Sequence, residues 1–214
     1  MAGENLQPRS RARPSRQPGG RRPAPGTLAL VQAFINTHYD LERDHGAELL
    51  STPGALGDWL THRGLLTDSA RLGDRDLRRA LAARESLRQL ARANTFASGL
   101  AVPGPGAGRE SARAALNQAA AGAIVALRFT PGGPRYLAPP DAGLDGALGV
   151  LLADAAQAMV DGSWRRMKIC PGEDCGWAFY DHSRNQAGRW CSMSVCGGRA
   201  KARSHYRRRQ GEER

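Results

Sequence analysis

Apolar residues return at helical spacing in five stretches of the chain, and two short apolar runs flank a turn. Over 27–38, Leu28, Val31, Phe34 and Ile35 share one face, which predicts a buried helix. Thr52-Pro53 offers an N-cap followed by proline at the first helical position and predicts a helix through Leu60. The longest pattern covers 74–94. Its apolar side holds Leu77, Ala80, Leu81, Ala83, Leu87, Leu90 and Ala91, and its arginines are expected on a solvated side. Further helices are expected over 110–121 and 145–160, the latter with Leu148, Val150, Leu151, Leu152, Ala155 and Met159 inside. Between them, AIVALRF (123–129) and RYLA (135–138) flank a Pro-Gly-Gly turn and predict a β-hairpin. GLAVPGPGAG (99–108) reads as a loop, and no internal repeat is visible.

Charge changes this picture at the two ends. Residues 1–25 carry six Arg and one Glu, and 26–163 carry thirteen Arg and fourteen acids. Residues 164–214 carry twelve Lys or Arg and five acids. A near-neutral body between basic ends suits a polyanionic partner met at the ends. Residues 1–26, rich in Pro, Gly, Arg and Ser, are expected to form a disordered basic arm, either a solubilising tail or a contact to phosphates. All but two of the 31 basic residues are Arg, in keeping with a GC-rich coding bias, so their clustering carries the argument and their number does not. No run of eighteen apolar residues predicts a membrane span, and a cytoplasmic protein is expected. No Gly-rich phosphate loop, nucleophile elbow or paired-carboxylate site is present, so no enzymatic activity is expected. His38, His45 and His62 are scattered and read as surface or core polar residues.

All four cysteines lie in the last quarter: Cys170, Cys175, Cys191 and Cys196, spaced C-x4-C-x15-C-x4-C. Two close pairs joined by a hairpin-length insert suit tetrahedral zinc, each pair giving two thiolates from one turn. Clustered cysteines in a chain with no secretory features favour one structural Zn2+ ion over two disulfides. Within the insert, GWAFYD (176–181) reads as a strand and RWC (189–191) as its return. Trp177, Phe179, Trp190, Met193 and Tyr206 are expected to form a small core, with Ala202 and Tyr206 facing inward. An Arg-rich helix follows Cys196. Arg199, Lys201, Arg203, Arg207, Arg208 and Arg209 are the candidate DNA-binding residues, with Arg203 as the candidate base reader. A short helix this positive is marginal alone in water, and the metal would fix its pose as a groove-reading element requires.

The string Cys170…Cys175-Gly176-Trp177…Phe179…Asp181…Ser183-Arg184-Asn185…Arg189-Trp190-Cys191-Ser192-Met193…Cys196-Gly197…Arg199-Ala200-Lys201 resembles the CGNR zinc-finger family. LALVQAFINT (28–37) and LLSTPGALGDWL (49–60) resemble the ABATE domain that precedes this finger in that family. The resemblance implies a transcription regulator with zinc-dependent DNA binding. Position 198 departs from the signature, with Gly where the family has Asn, and a left-handed turn there would tolerate either residue.

The expected fold is α+β: a mostly helical N-terminal domain with a small β-hairpin, then a small zinc finger made of a β-hairpin and a basic helix in treble-clef-like order. The divisions are 1–26 arm, 27–162 helical domain, 163–210 finger and 211–214 tail. The apolar pattern of 27–162 is complete in itself, so that part is expected to fold without zinc. Double-stranded DNA is the expected partner, and the helical domain is expected to sense a small-molecule ligand or to form a homodimer. The alternative is an RNA-binding or protein-docking zinc module.

Overall fold

The computed structural model describes residues 17–38, 48–67, 71–97, 107–139, 142–173 and 175–212. His45, most of the expected loop 99–108 and residues 1–16 of the expected arm lie outside them.

The predicted helices are present: α1 (Leu28–Ile35), α2 (Pro53–His62), α3 (Asp74–Ala97), α4 (Ala107–Ala119) and α5 (Gly143–Val160). Thr52 caps α2 as its position suggests, its hydroxyl accepting from Ala55 N at 3.1 Å. Asp76, in the first turn of α3, reaches back to the amide of Gly73 at 2.9 Å. Thr130 to Gly133 turns between β1 (Ala126–Thr130) and β2 (Gly133–Leu137), which pair antiparallel with Ala126 opposite Leu137.

Helix α5 lies at the centre, with Leu144, Leu148, Leu151 and Ala155 buried. Its mean hydropathy of 1.3 over eighteen residues matches that of a membrane span. Here it serves as a core helix packed on α1 and the β1–β2 hairpin. Its outer side, including Met159, is exposed. Gly149 is bare because a Cβ there would stand 2.5 Å from the carbonyl oxygen of Ile124, so the chain leading into β1 crosses directly over α5. Arg79 of α3 donates to the carbonyls of Ala119 and Ala121 at the end of α4 and pairs with Asp145 of α5. One guanidinium thereby caps one helix and ties it to two others.

The finger region adds β3 (Met167–Ile169), β4 (Ala178–Tyr180) and α6 (Gly198–Glu212), the last preceded by a π-helical turn at Met193–Gly197. β4 pairs with β3 across the first cysteine pair, Met167 opposite Tyr180. The expected partner, 189–191, forms no strand. Three-residue strands carry too little pattern to show their pairing. Helix α6 runs to Glu212, past the expected end of the finger at 210.

Two expectations about the domains change. The arginine side of α3 is not uniformly wet: Arg84 is 3% and Arg88 8% exposed. Arg84 grips both carboxylate oxygens of Glu48 at 2.6 Å. Residues 17–24, expected within a disordered arm, are held against the finger and α1. Gln17 Oε1 accepts from the Trp177 indole at 3.0 Å and from Gln32 at 2.9 Å. These partners lie far away in sequence, where no local pattern reveals them.

The helical body and the β3–β4 hairpin also share one hydrophobic core. Trp164, Met167, Ile169, Ala178 and Tyr180 belong to the same buried cluster as Leu28, Leu87 and Leu151. A two-stranded sheet leaves both edges unsatisfied. Here side chains of the body close them. Asn36, just after α1, accepts from Ala178 N and donates to Ala178 O, and Gln32 of α1 donates to the same carbonyl. Thr95 of α3 does the same for Ile169 at 2.9 and 3.0 Å.

Candidate metal centre

Each cysteine pair sits on a turn whose backbone is shaped for it. Cys170 follows β3 and Cys175 precedes β4. Between them Cys175 N bonds Gly172 O at 3.2 Å. Gly172 leaves room for the sulfurs: a Cβ there would be 3.3 Å from Cys196 Sγ and 3.5 Å from Cys170 Sγ. Gly176 has φ +64, a left-handed conformation that favours glycine. The backbone amides of Cys191 and Gly172 favour the thiolate of Cys170, and that of Trp177 the thiolate of Cys175. Cys191 and Cys196 lie at the entry to the helix, where Ser192 accepts from Val195 N at 3.3 Å as an N-cap.

The four side chains are buried, and their sulfurs all lie within 4.8 Å of one another. Cys175 Sγ is 3.7 Å from Cys191 Sγ, and Cys191 Sγ is 3.6 Å from Cys196 Sγ. These separations are far from a disulfide bond. Tetrahedral zinc with Zn–S of about 2.3 Å spaces its sulfurs about 3.8 Å apart, so the cluster fits that ion. Hydrogen bonds from Cys175 and Cys191 hold the Cys170 thiol well below its usual range, while the same bond to Cys170 pushes Cys175 up. Burial pushes Cys196 up, and hydrogen bonding to Cys170 and Cys175 does so for Cys191. Packed thiolates repel one another, and a divalent cation offsets that repulsion. The four cysteines can therefore bind one zinc ion in a closed, structural site. His182 is not a member: its Nε2 lies 3.1 Å from Pro23 O, in the strap formed by residues 17–24.

Of the expected small core, Trp177 and Phe179 are fully buried beside the cysteines and Trp190 packs against them. Met193 and Tyr206 do not join it, at 56% and 64% exposed. Ala202 is exposed as well, since among the described residues α6 is exposed beyond its root apart from the half-buried Arg203. Of the expected DNA-binding residues, Arg199, Lys201, Arg207, Arg208 and Arg209 are exposed. Arg203 is half-buried, with Nε 3.6 Å from the Glu173 carboxylate, so it braces the helix root against the first cysteine turn. Gly198 has φ −62 and ψ −47. It is a right-handed helical residue, and the left-handed turn expected there is absent.

Sequence reasoning missed three supporting groups. Arg21 Nε donates to Cys191 O at 2.8 Å, Nη2 to Trp190 O at 2.9 Å and Nη1 to Tyr180 O at 3.2 Å, and the guanidinium stacks over Phe179. Arg88 Nη1 donates to Gly176 O at 2.7 Å, in the first cysteine turn, while its Nη2 donates to Ile35 O at 2.6 Å. Lys168 and Asp181, each 1% exposed, form an ion pair at 2.9 Å. Burial pushes the Asp181 carboxyl up, but bonds from Ser183 and Lys168 outweigh it and hold it at about 2. Lys168 had a signal: it is one of two lysines in a chain that otherwise uses arginine. A compact ammonium with three donors meets three acceptors there, Asp181, Gln186 O and Gly188 O.

Comparison with known proteins matches residues 166–209 to the CGNR zinc finger and residues 28–162 to a family described as "Putative stress-induced transcription regulator", ABATE. No curated protein matches the chain. The boundary between the two matches falls where the shared core is continuous. Since the ABATE match covers more than half of the sequence, the chain belongs to the ABATE family, and a CGNR zinc finger completes it.

Proposed function

We propose that this chain is a zinc-dependent regulator of transcription that binds double-stranded DNA through α6, with the helical body as its ligand-sensing or dimerising part. The observation that carries this reading is the placement of α6. Six basic residues and one acid stand between Gly198 and Glu212, on a helix rooted in the four-cysteine cluster and exposed beyond it. A cationic rod held at one end suits the phosphate backbone of a duplex. Unpaired RNA bases need aromatic platforms at the surface. Trp177 and Phe179 are buried instead, at 2% and 0% exposed. Tyr206, 64% exposed, is the one Phe, Tyr or Trp on the basic helix, fewer than the two or three platforms a single-strand reader stacks on, which favours duplex DNA over single-stranded RNA.

Lys201, Arg207, Arg208 and Arg209 are the contacts to phosphate. Four neutralised phosphates give a log–log salt slope near about −3.6 for duplex DNA. Replacing Lys201 or Arg208 by Ala lowers that slope by about one unit and weakens all sequences alike. Fluorescence anisotropy across a salt series tests this. Salt-independent binding, or unchanged affinity when all four side chains are removed, overturns it.

A further inference from the structure

The buried Lys168–Asp181 pair has a use that the zinc site does not require. Beyond its own ion pair, the contacts of its charged atoms go to the loop 183–188. Asp181 accepts from Ser183 N at 3.0 Å, Ser183 Oγ at 2.7 Å and Gly188 N at 2.7 Å. Lys168 Nζ donates to Gln186 O and Gly188 O. Arg166 adds bonds to Asp181 O at 3.0 Å and Ser183 O at 2.7 Å. Gly188 must be bare, since a Cβ would lie 2.5 Å from Asp181 Oδ1. Gln186 is held at φ +53, an uncommon conformation for a residue with a side chain. The loop is thus fixed from beneath at three points.

Its exposed side chains are Arg184, Asn185, Gln186 and Ala187, of which Arg184 and Asn185 precede the left-handed residue at the turn. Among the described residues Arg184 pairs with no acid. Asn185 Oδ1 accepts from Ala187 N at 3.3 Å, which sets the tip of the turn. Asp181 is buried and paired with Lys168, and Arg184 is the charged residue of the loop 183–188 itself, so the loop's own exposed charge is positive. It leads through Arg189, stacked on Trp190 at 5.3 Å, to the root of α6, where the Trp190 ring edge approaches Gly197. The residues that leave the loop thus reach the root of α6.

Reading a base edge requires a side chain in a fixed pose. Among the described residues α6 is exposed beyond its root, and Arg203 lies 3.6 Å from the Glu173 carboxylate. We infer that sequence preference resides in the loop, with Arg184 and Asn185 reading base edges, while α6 supplies phosphate contacts. Arg matches the two acceptors of guanine, and Asn the donor–acceptor pair of adenine. This inference rests on the DNA-binding reading above.

The test uses the zinc-loaded full chain and a randomised duplex library, sequenced before and after selection, followed by anisotropy on the preferred duplex and a scrambled one. Arg184→Ala and Asn185→Ala should each lower affinity for the preferred duplex by about 5- to 150-fold, toward the scrambled level, with zinc content unchanged. Asn185→Ala should leave the salt slope as it is. Lys201→Ala should weaken both duplexes and keep the preference. Loop variants that retain the wild-type preference overturn the inference while leaving DNA binding by α6 intact. A wild-type chain that binds no duplex overturns both, and so does one that prefers single-stranded RNA of equal length.

Discussion

Gly198 stands where the family signature has Asn, and its backbone is ordinary right-handed helix between the π-helical turn and α6. A Cβ there would meet nothing closer than Met193 O at 3.7 Å. Glycine inside a helix loses more conformational freedom on folding than alanine, so Gly198→Ala should stabilise the zinc-loaded protein by about 0.5–1 kcal/mol. Thermal unfolding at fixed zinc measures this. Arg21 has the opposite character. Its fork satisfies three carbonyls around the second cysteine pair and covers Phe179. Arg21→Ala strands those acceptors, at about 1–3 kcal/mol, and should speed zinc transfer to a chromophoric chelator. Arg21→Lys should not restore the slow rate, because a single ammonium cannot reproduce the planar fork.

At the level of elements, the joint between body and finger is the β3–β4 hairpin, whose edges are completed by Asn36 and Thr95. A fragment of 27–162 leaves those side chains, and the apolar surface that covers Met167 and Ile169, facing water. It should therefore unfold at lower urea than the whole chain and without a sharp transition, contrary to what its apolar pattern implies. The fluorescence of Trp59, packed 5.7 Å from the Phe34 ring, reports this. If that fragment matches the full chain in midpoint, the shared core contributes nothing. The helices were legible because each repeats its apolar face over several turns and α2 announces its cap. The four-cysteine cluster, able to hold one zinc ion, was legible because two close pairs joined by a hairpin-length insert bring four sulfurs together. The β3–β4 pairing was not, since three residues cannot establish a period. Residues 17–24 were not, because their partners lie some 160 positions away. Arg84 and Arg88 were misread as wet because a periodicity scale counts every arginine as polar. Their place between Ala83, Leu87, Leu90 and Ala91 was the available hint.

Across the whole molecule, charge and packing are unevenly shared. The body and finger are packed together, whereas α6 is exposed beyond its root and carries like charges along its length. Such a helix frays at its free end in dilute salt. Duplex DNA, or a simple polyanion at low ionic strength, should increase the circular dichroism signal at 222 nm. A chain ending after Gly197 should show no such gain. An equal gain in the truncated chain would place the ordering elsewhere.

The shared core also ties the quantity of this protein to its metal supply. Free energy released when the four thiolates take up zinc stabilises the strands that complete the body, so little is left for the helices to fall back on when the ion is withdrawn. In a zinc-starved cell the whole chain, and not the finger alone, would become a substrate for proteases. Its lifetime would then follow zinc availability before any effector bound it.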